Sequence, residues 1–196
     1  MRLASLTLAV LAAGCAIPPA AATPTPTPAS LSEIDFRSFL STLEGLPDHW
    51  TIGRTTAAET PGDVFGVPEA DGYLLHGLEW DGTEAGEAML WAFGSSEVAL
   101  EGYRALVGRF EEVQGEGESI AMDVRIQPID GLGDAAAAEV AAMGLAGGSS
   151  HAVRVELAFV RCHLLADVRL DDPADLDAAV AYARLLDDLL RELACR

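Results

Sequence analysis

The side chains best suited to moving protons near neutral pH are His49, His76, His151 and His163, because an unperturbed imidazole titrates in that range. They lie far apart in the chain and belong to no nucleophile or metal signature. The sequence contains no H-E-x-x-H, no C-x-x-C, no phosphate-binding glycine loop and no G-x-S-x-G. Ser150 and His151 are adjacent, and adjacency does not make a nucleophile–base pair. Asp171, Asp172, Asp175 and Asp177 cluster as metal ligands would, but they immediately precede an apolar helical stripe. That placement predicts Asp172 as helix N-cap, Pro173 at the first helical position and Asp175 as a capping-box acid. "DGTEAGE" has Thr83 and Ala85 where a calcium loop needs oxygen-rich ligands, and "GLGD" reads as a turn. Trp50, Trp80 and Trp91 could line a pocket, although core or hairpin packing is the commoner role of such residues. The spacing therefore assigns no catalytic residue, no metal ligand and no cofactor.

The three cysteines carry more information. Residues 1–14 join Arg2 to an apolar run of about a dozen residues, too short for the roughly 20 that a membrane span needs, and read as an export signal. Ala12-Ala13-Gly14-Cys15 resembles the bacterial lipobox, with Ala12 where Leu is usual. The resemblance implies cleavage before Cys15 and a diacylglyceryl group on its sulfur. Two acyl chains suffice for stable anchoring. A plain secretory signal, with Cys15 free or removed, is the alternative. Residues 15–30 hold the lipidated cysteine and a Pro/Thr-rich linker, "AIPPAAATPTPTPAS", which reads as a semi-rigid stalk. The exported domain then occupies residues 31–196, the length of one ordinary domain. With Cys15 lipidated, Cys162 and Cys195 remain as an even pair in an oxidising compartment. The C-terminal helix should run back along the sheet from Asp171-Asp172 and bring Cys195 level with Cys162, which predicts a disulfide between them.

The net charge of −19 argues against nucleic acid and against an anionic membrane surface. All twelve basic residues are arginine, which suits a GC-rich genome more than a binding function. The expected partners are the membrane, through the lipid on Cys15, and a small-molecule ligand or an envelope protein.

Hydrophobic periodicity supplies the elements. "LSEIDFRSFLSTLEGLPDHW" reads as a short amphipathic helix, and Thr51 to Asp71 as loop with at most one short strand. "GYLLHGLEW" and "GEAMLWAF" read as a hairpin with a longer connection around Asp81-Gly82. "SSEVALEGYRALVGRFEEV" is an amphipathic helix capped by Ser95 or Ser96. "IAMDVRIQPI" alternates as a half-buried strand. "AAAAEVAAM" has helical propensity. "HAVRVELAFVRCHLLADVRL" is too long for one strand and should fold back at Arg161-Cys162-His163. The last helix should bury Leu176, Val180, Ala183, Leu186, Leu190 and Leu193.

"WAFGSSEVALEGYRALV", "IDGLGDAAA" and "LDAAVAYARLLDDLL" resemble bacterial exported sensor-like domains, described as PknH-like extracellular domains. These occur in lipoproteins and outside membrane-bound serine/threonine kinases. The resemblance implies a strand at Ala135 to Ala142, against local propensity. It also implies an α+β fold, an antiparallel sheet packed by two long helices. It carries over no ligand residues. The resulting expectation is a lipid-anchored, extracytoplasmic binding or sensing module of the cell envelope, without catalysis. The alternatives are an envelope scaffold acting through a protein partner and, less favoured, a hydrolase assembled from distant residues.

Overall fold

The computed structural model describes residues 46–58, 70, 72–116, 122–144, 150–171 and 173–193. The expected signal peptide, Cys15, the expected stalk, the helix expected before Gly45, Asp172 and Cys195 lie outside the described residues.

Seven strands form one antiparallel sheet in the order β1-β2-β3-β7-β6-β5-β4. They are β1 (Trp50–Ala58), β2 (Gly72–Trp80), β3 (Thr83–Ala92), β4 (Met122–Pro128), β5 (Ala135–Gly144), β6 (Ser150–Arg161) and β7 (Leu164–Leu170). Helix α1 (Ser96–Glu116) links two meanders, and α2 (Leu176–Leu193) follows the second. The helices pack on opposite faces. Leu164, Ala166, Val168 and Leu170 of β7 join Leu157 and Phe159 in a core with Ala179, Tyr182, Ala183, Leu186 and Leu190 of α2. Residues of opposite parity, Trp91, Ala158, Val160 and Leu165, pack with Ala99, Leu106 and Phe110 of α1. β7 sits at the centre of the sheet, which is why six of its seven residues are buried. None of the described helices is long and apolar enough to cross a membrane.

Three expectations need correction, and the strand-or-helix alternative left open at residues 135–142 is resolved. The region after Trp50 contains a full nine-residue strand, β1, where mostly loop was expected. Its Ile52, Thr55 and Thr56 favour a pleated surface, and β2 supplies the partner. The β2–β3 connection is tight: Trp80 pairs with Thr83, and Asp81 and Gly82 take φ of 48° and 76°. Two successive positive φ values match the twist of a two-residue hairpin. Residues 135–144 are strand, as the resemblance implied, and not helix as their alanines favour. β5 pairs along its whole length with β6 and along most of it with β4, and that ladder overrides a weak local propensity. The α2 cap lies one turn later than predicted. Asp175 Oδ1 accepts from the Asp177 and Ala178 amides at 2.9 and 3.3 Å, so Asp175 is the N-cap.

The final hairpin does turn at Cys162-His163, with Arg161 paired to Leu164. Cys162 takes φ of 54°, and its N–H donates to Asp134 Oδ2 at 2.7 Å. Asp134 closes the "GLGD" turn. There Gly133 has φ of 60°, and a Cβ would stand 2.5 Å from the Val160 carbonyl oxygen, so glycine is required on both counts.

Candidate functional site: a charged cavity beneath α1

The α1 face of the sheet is apolar only in part. Leu106 and Phe110 lie on Trp91, Val160 and Leu165. Beside that contact the strands present charge, and a cavity of about 140 Å³ opens between helix and sheet. Met89, Leu106 and Phe110 form its apolar wall. Glu87, Glu139, Glu156 and Asp167 contribute carboxyl groups, and Arg109, Arg154 and Arg169 contribute guanidinium groups.

The strand register explains how these groups meet. Glu139 of β5 pairs with Glu156 of β6, Glu156 pairs with Arg169 of β7, and Arg169 pairs with Glu87 of β3. One row of the sheet therefore reads acid, acid, base, acid. Directly opposed side chains on one face stand about 5 Å apart at Cβ, and like charges there repel. Arg154 relieves the Glu139–Glu156 pair from a diagonal position. Its Nη2 donates to Glu139 Oε1 at 2.5 Å, and its Nε lies 4.0 Å from Glu156 Oε2. In the next row Asp167 stands between Met89 and Ala158, with no cation directly opposite.

Burial makes this arrangement costly. Glu139 is 1% exposed and Asp167 4% exposed. Among the described residues, Glu139 Oε2 and Asp167 Oδ1 are buried oxygens without a hydrogen-bond partner. Such a group forfeits its hydration without replacement. Burial pushes the Asp167 carboxyl well above the usual range; Glu156 and Glu87 push it further, while Arg169 and Arg109 oppose them. Glu156 is raised by burial, with Arg154 drawing it down and Glu139 adding to the rise. Burial opposes the charge on Arg154, but its bond to Glu139 and the neighbouring acids hold the guanidinium ionised more firmly than usual. Asp167 and Glu156 thus hold their protons to higher pH than surface acids do.

The residues singled out for chemistry from sequence are not brought together here. No histidine lines the cavity. His76 is buried, hydrogen-bonded to Thr55 Oγ1 at 2.9 Å, and lowered by burial to about 4. His49 Nδ1 meets Asp81 Oδ1 at 2.8 Å on the surface, and its ring lies against Trp80. The His151 side chain lies outside the description. Trp50 packs edge-on to Trp80 at 5.5 Å, whereas Trp91 belongs to the other core, so the three tryptophans form no common pocket. Asp171 pairs with Arg169, Asp175 caps α2, and no metal-competent cluster occurs among the described residues. Cys162 occupies the β6–β7 turn.

Arg154, Glu156, Asp167 and Arg169 were visible from sequence as the polar alternates of two clear strands. The signal that such a face is covered is the apolar stripe of α1, which must lie on some face of the sheet. Glu139 was hidden by the helical reading of its alanine-rich segment.

No protein-family model matches the chain, and no curated protein or solved structure matches it.

Proposed function

We propose that this chain is a lipid-anchored, extracytoplasmic protein of the bacterial envelope that binds a small polar ligand in the cavity beneath α1, without chemical turnover. The observation that carries the binding half is the cavity itself. It is concave and partly apolar, and it holds convergent polar groups, two of them buried oxygens without partners. That combination is the usual character of a small-molecule site. The anchoring half rests on the lipobox-like Ala12-Ala13-Gly14-Cys15 and on the proline-rich stretch that follows. A sensing role agrees with the resemblance to exported sensor-like domains.

Two experiments test the proposal. Cys15→Ser should release the protein from bacterial membranes; equal retention of variant and parent contradicts the anchor. Screening against ester, peptide and phosphate substrates should find no turnover. Activity that vanishes on replacing one histidine or serine contradicts the non-enzymatic reading.

A further inference from the structure

The ligand reading of the cavity, on which this inference rests, leaves the ligand's charge open. We infer that the cavity takes a small aliphatic amine, its ammonium group against the Glu139 and Asp167 carboxyls and its carbon chain along Met89, Leu106 and Phe110.

Two of the three partnerless atoms of the lining, Glu139 Oε2 and Asp167 Oδ1, are acceptors when ionised, each on a side chain more than nine-tenths buried; the third, Arg154 Nε, is a donor that already faces Glu156 Oε2 at 4.0 Å. An ammonium group offers three donors and no acceptor. The guanidinium groups already face carboxyls of the fold. Arg154 is bonded to Glu139 through Nη2, Arg169 donates to Asp171 Oδ1 from Nε and Nη2 at 3.2 and 3.1 Å, and Arg109 acts on Glu156 and Asp167. The lining holds four carboxyl groups against three guanidinium groups. An entering anion would meet more carboxyls than guanidiniums, whereas a cation would complete the charge balance.

Size and lining set the rest of the ligand. A cavity of about 140 Å³ corresponds to roughly four or five waters at about 30 Å³ each. That is room for an ammonium with a short chain. Met89, Leu106 and Phe110 give the chain an apolar wall, and Phe110 also presents a ring to a cation. Asp167 faces Glu156, Arg154 and Glu139 from β6 and β5, Glu87 from β3, Arg169 from β7 and Arg109 from α1. Burial and the acids of that set favour a proton on Asp167. An ammonium ion would take the place of that proton.

The test uses n-butylamine and sodium butyrate, which share a carbon count and differ in charge. The chain carrying Cys15→Ser is titrated with each near neutral pH while backbone amide shifts are followed by NMR. Saturable shifts at Glu139, Asp167 and Phe110 with n-butylamine, and none with butyrate, are expected. Asp167→Asn and Glu139→Gln should each weaken amine binding roughly tenfold, the loss of one charge-assisted contact. Glu84→Gln, on an exposed residue of β3, should leave it unchanged. Far-UV circular dichroism confirms that each variant is folded, and Asp167→Asn keeps the shape of the protonated parent. Butyrate binding with n-butylamine inert overturns the cation assignment and leaves the cavity a ligand site. Amine shifts that persist in both variants, or no saturable shift with either probe, also overturn it.

Discussion

Arg154 reaches diagonally from β6 to β5 and donates to Oε1 of Glu139 at 2.5 Å, while Oε2 of the same buried carboxylate has no partner. Half of that carboxylate is satisfied by the fold and half is not. Stability alone does not require such a pair, because an apolar pair of similar volume is often no less stable. An incompletely satisfied ion pair beside a cavity is more readily explained by what the cavity admits.

Arg154→Met should expose the cost of this arrangement. It leaves Glu139 buried without its cation and opposite Glu156, and the expected loss is about 3 kcal/mol. Replacing both partners, Arg154→Met with Glu139→Leu, should restore most of the loss. Urea denaturation midpoints of the parent, both single variants and the double variant measure the coupling. Additive losses with no recovery would contradict it.

Asp167 predicts a pH dependence of unusual sign. Its folded carboxyl titrates well above the ordinary range because of burial. Between the unfolded value and the folded one, the folded state holds a proton that the unfolded chain has released, so stability falls as pH rises through that window. Asp167→Asn removes the titration. The variant should be more stable than the parent at neutral pH, and the advantage should shrink toward the ordinary carboxyl range. Thermal midpoints across that range decide it, and a variant less stable at every pH contradicts it.

His76 works in the opposite direction. Burial lowers its folded value to about 4, so between there and its unfolded value the unfolded chain binds the extra proton. Stability is therefore lost as pH falls from about 6.5 to about 4, by about 3 kcal/mol over the full window. His76→Gln keeps a polar group beside Thr55 and removes that loss. Acid titration of parent and variant by fluorescence should show the parent losing more stability across the window. Parallel curves would contradict the assignment.

The two central hairpins were legible because "GYLLHGLEW" and "HAVRVELAFVRCHLLADVRL" announce strands by length, alternation and apolar content. The helices were legible by their stripes. β1 was obscured by the Gly/Pro-rich residues that follow it, and β5 by alanine, whose local preference a ladder of hydrogen bonds outweighs. The cavity was not legible at all. Its acids come from four strands, and only the register places Glu139 opposite Glu156 and Arg169 beside Glu87. A list of polar alternates carries no register.

Arg161 grips Asp187 through Nε and Nη2 at 2.6 and 2.7 Å, which ties the C-terminal half of α2 to the strand end beside Cys162. Burial opposes ionisation of Asp187, but Arg161, the Gly133 amide and Arg191 hold it below the usual carboxylate range. Beyond Asp187 the helix continues six residues to Leu193, about 9 Å at 1.5 Å per residue, in the direction of Cys195 in the sequence. We predict that Cys162 and Cys195 are disulfide-bonded in an oxidising compartment. Cys195→Ser should cost roughly 3–4 kcal/mol in the chain-entropy account. Alkylatable thiols at both Cys162 and Cys195 in oxidised, denatured protein would contradict the pairing.

The most direct measurement of the central claim is an amide shift map of the Cys15→Ser chain titrated with a set of small charged and neutral fragments. Saturable binders should perturb Glu139, Arg154, Glu156 and Asp167 on the strands together with Arg109 and Phe110 on α1. Saturable binders that map to any other surface, with those residues undisturbed, would contradict it.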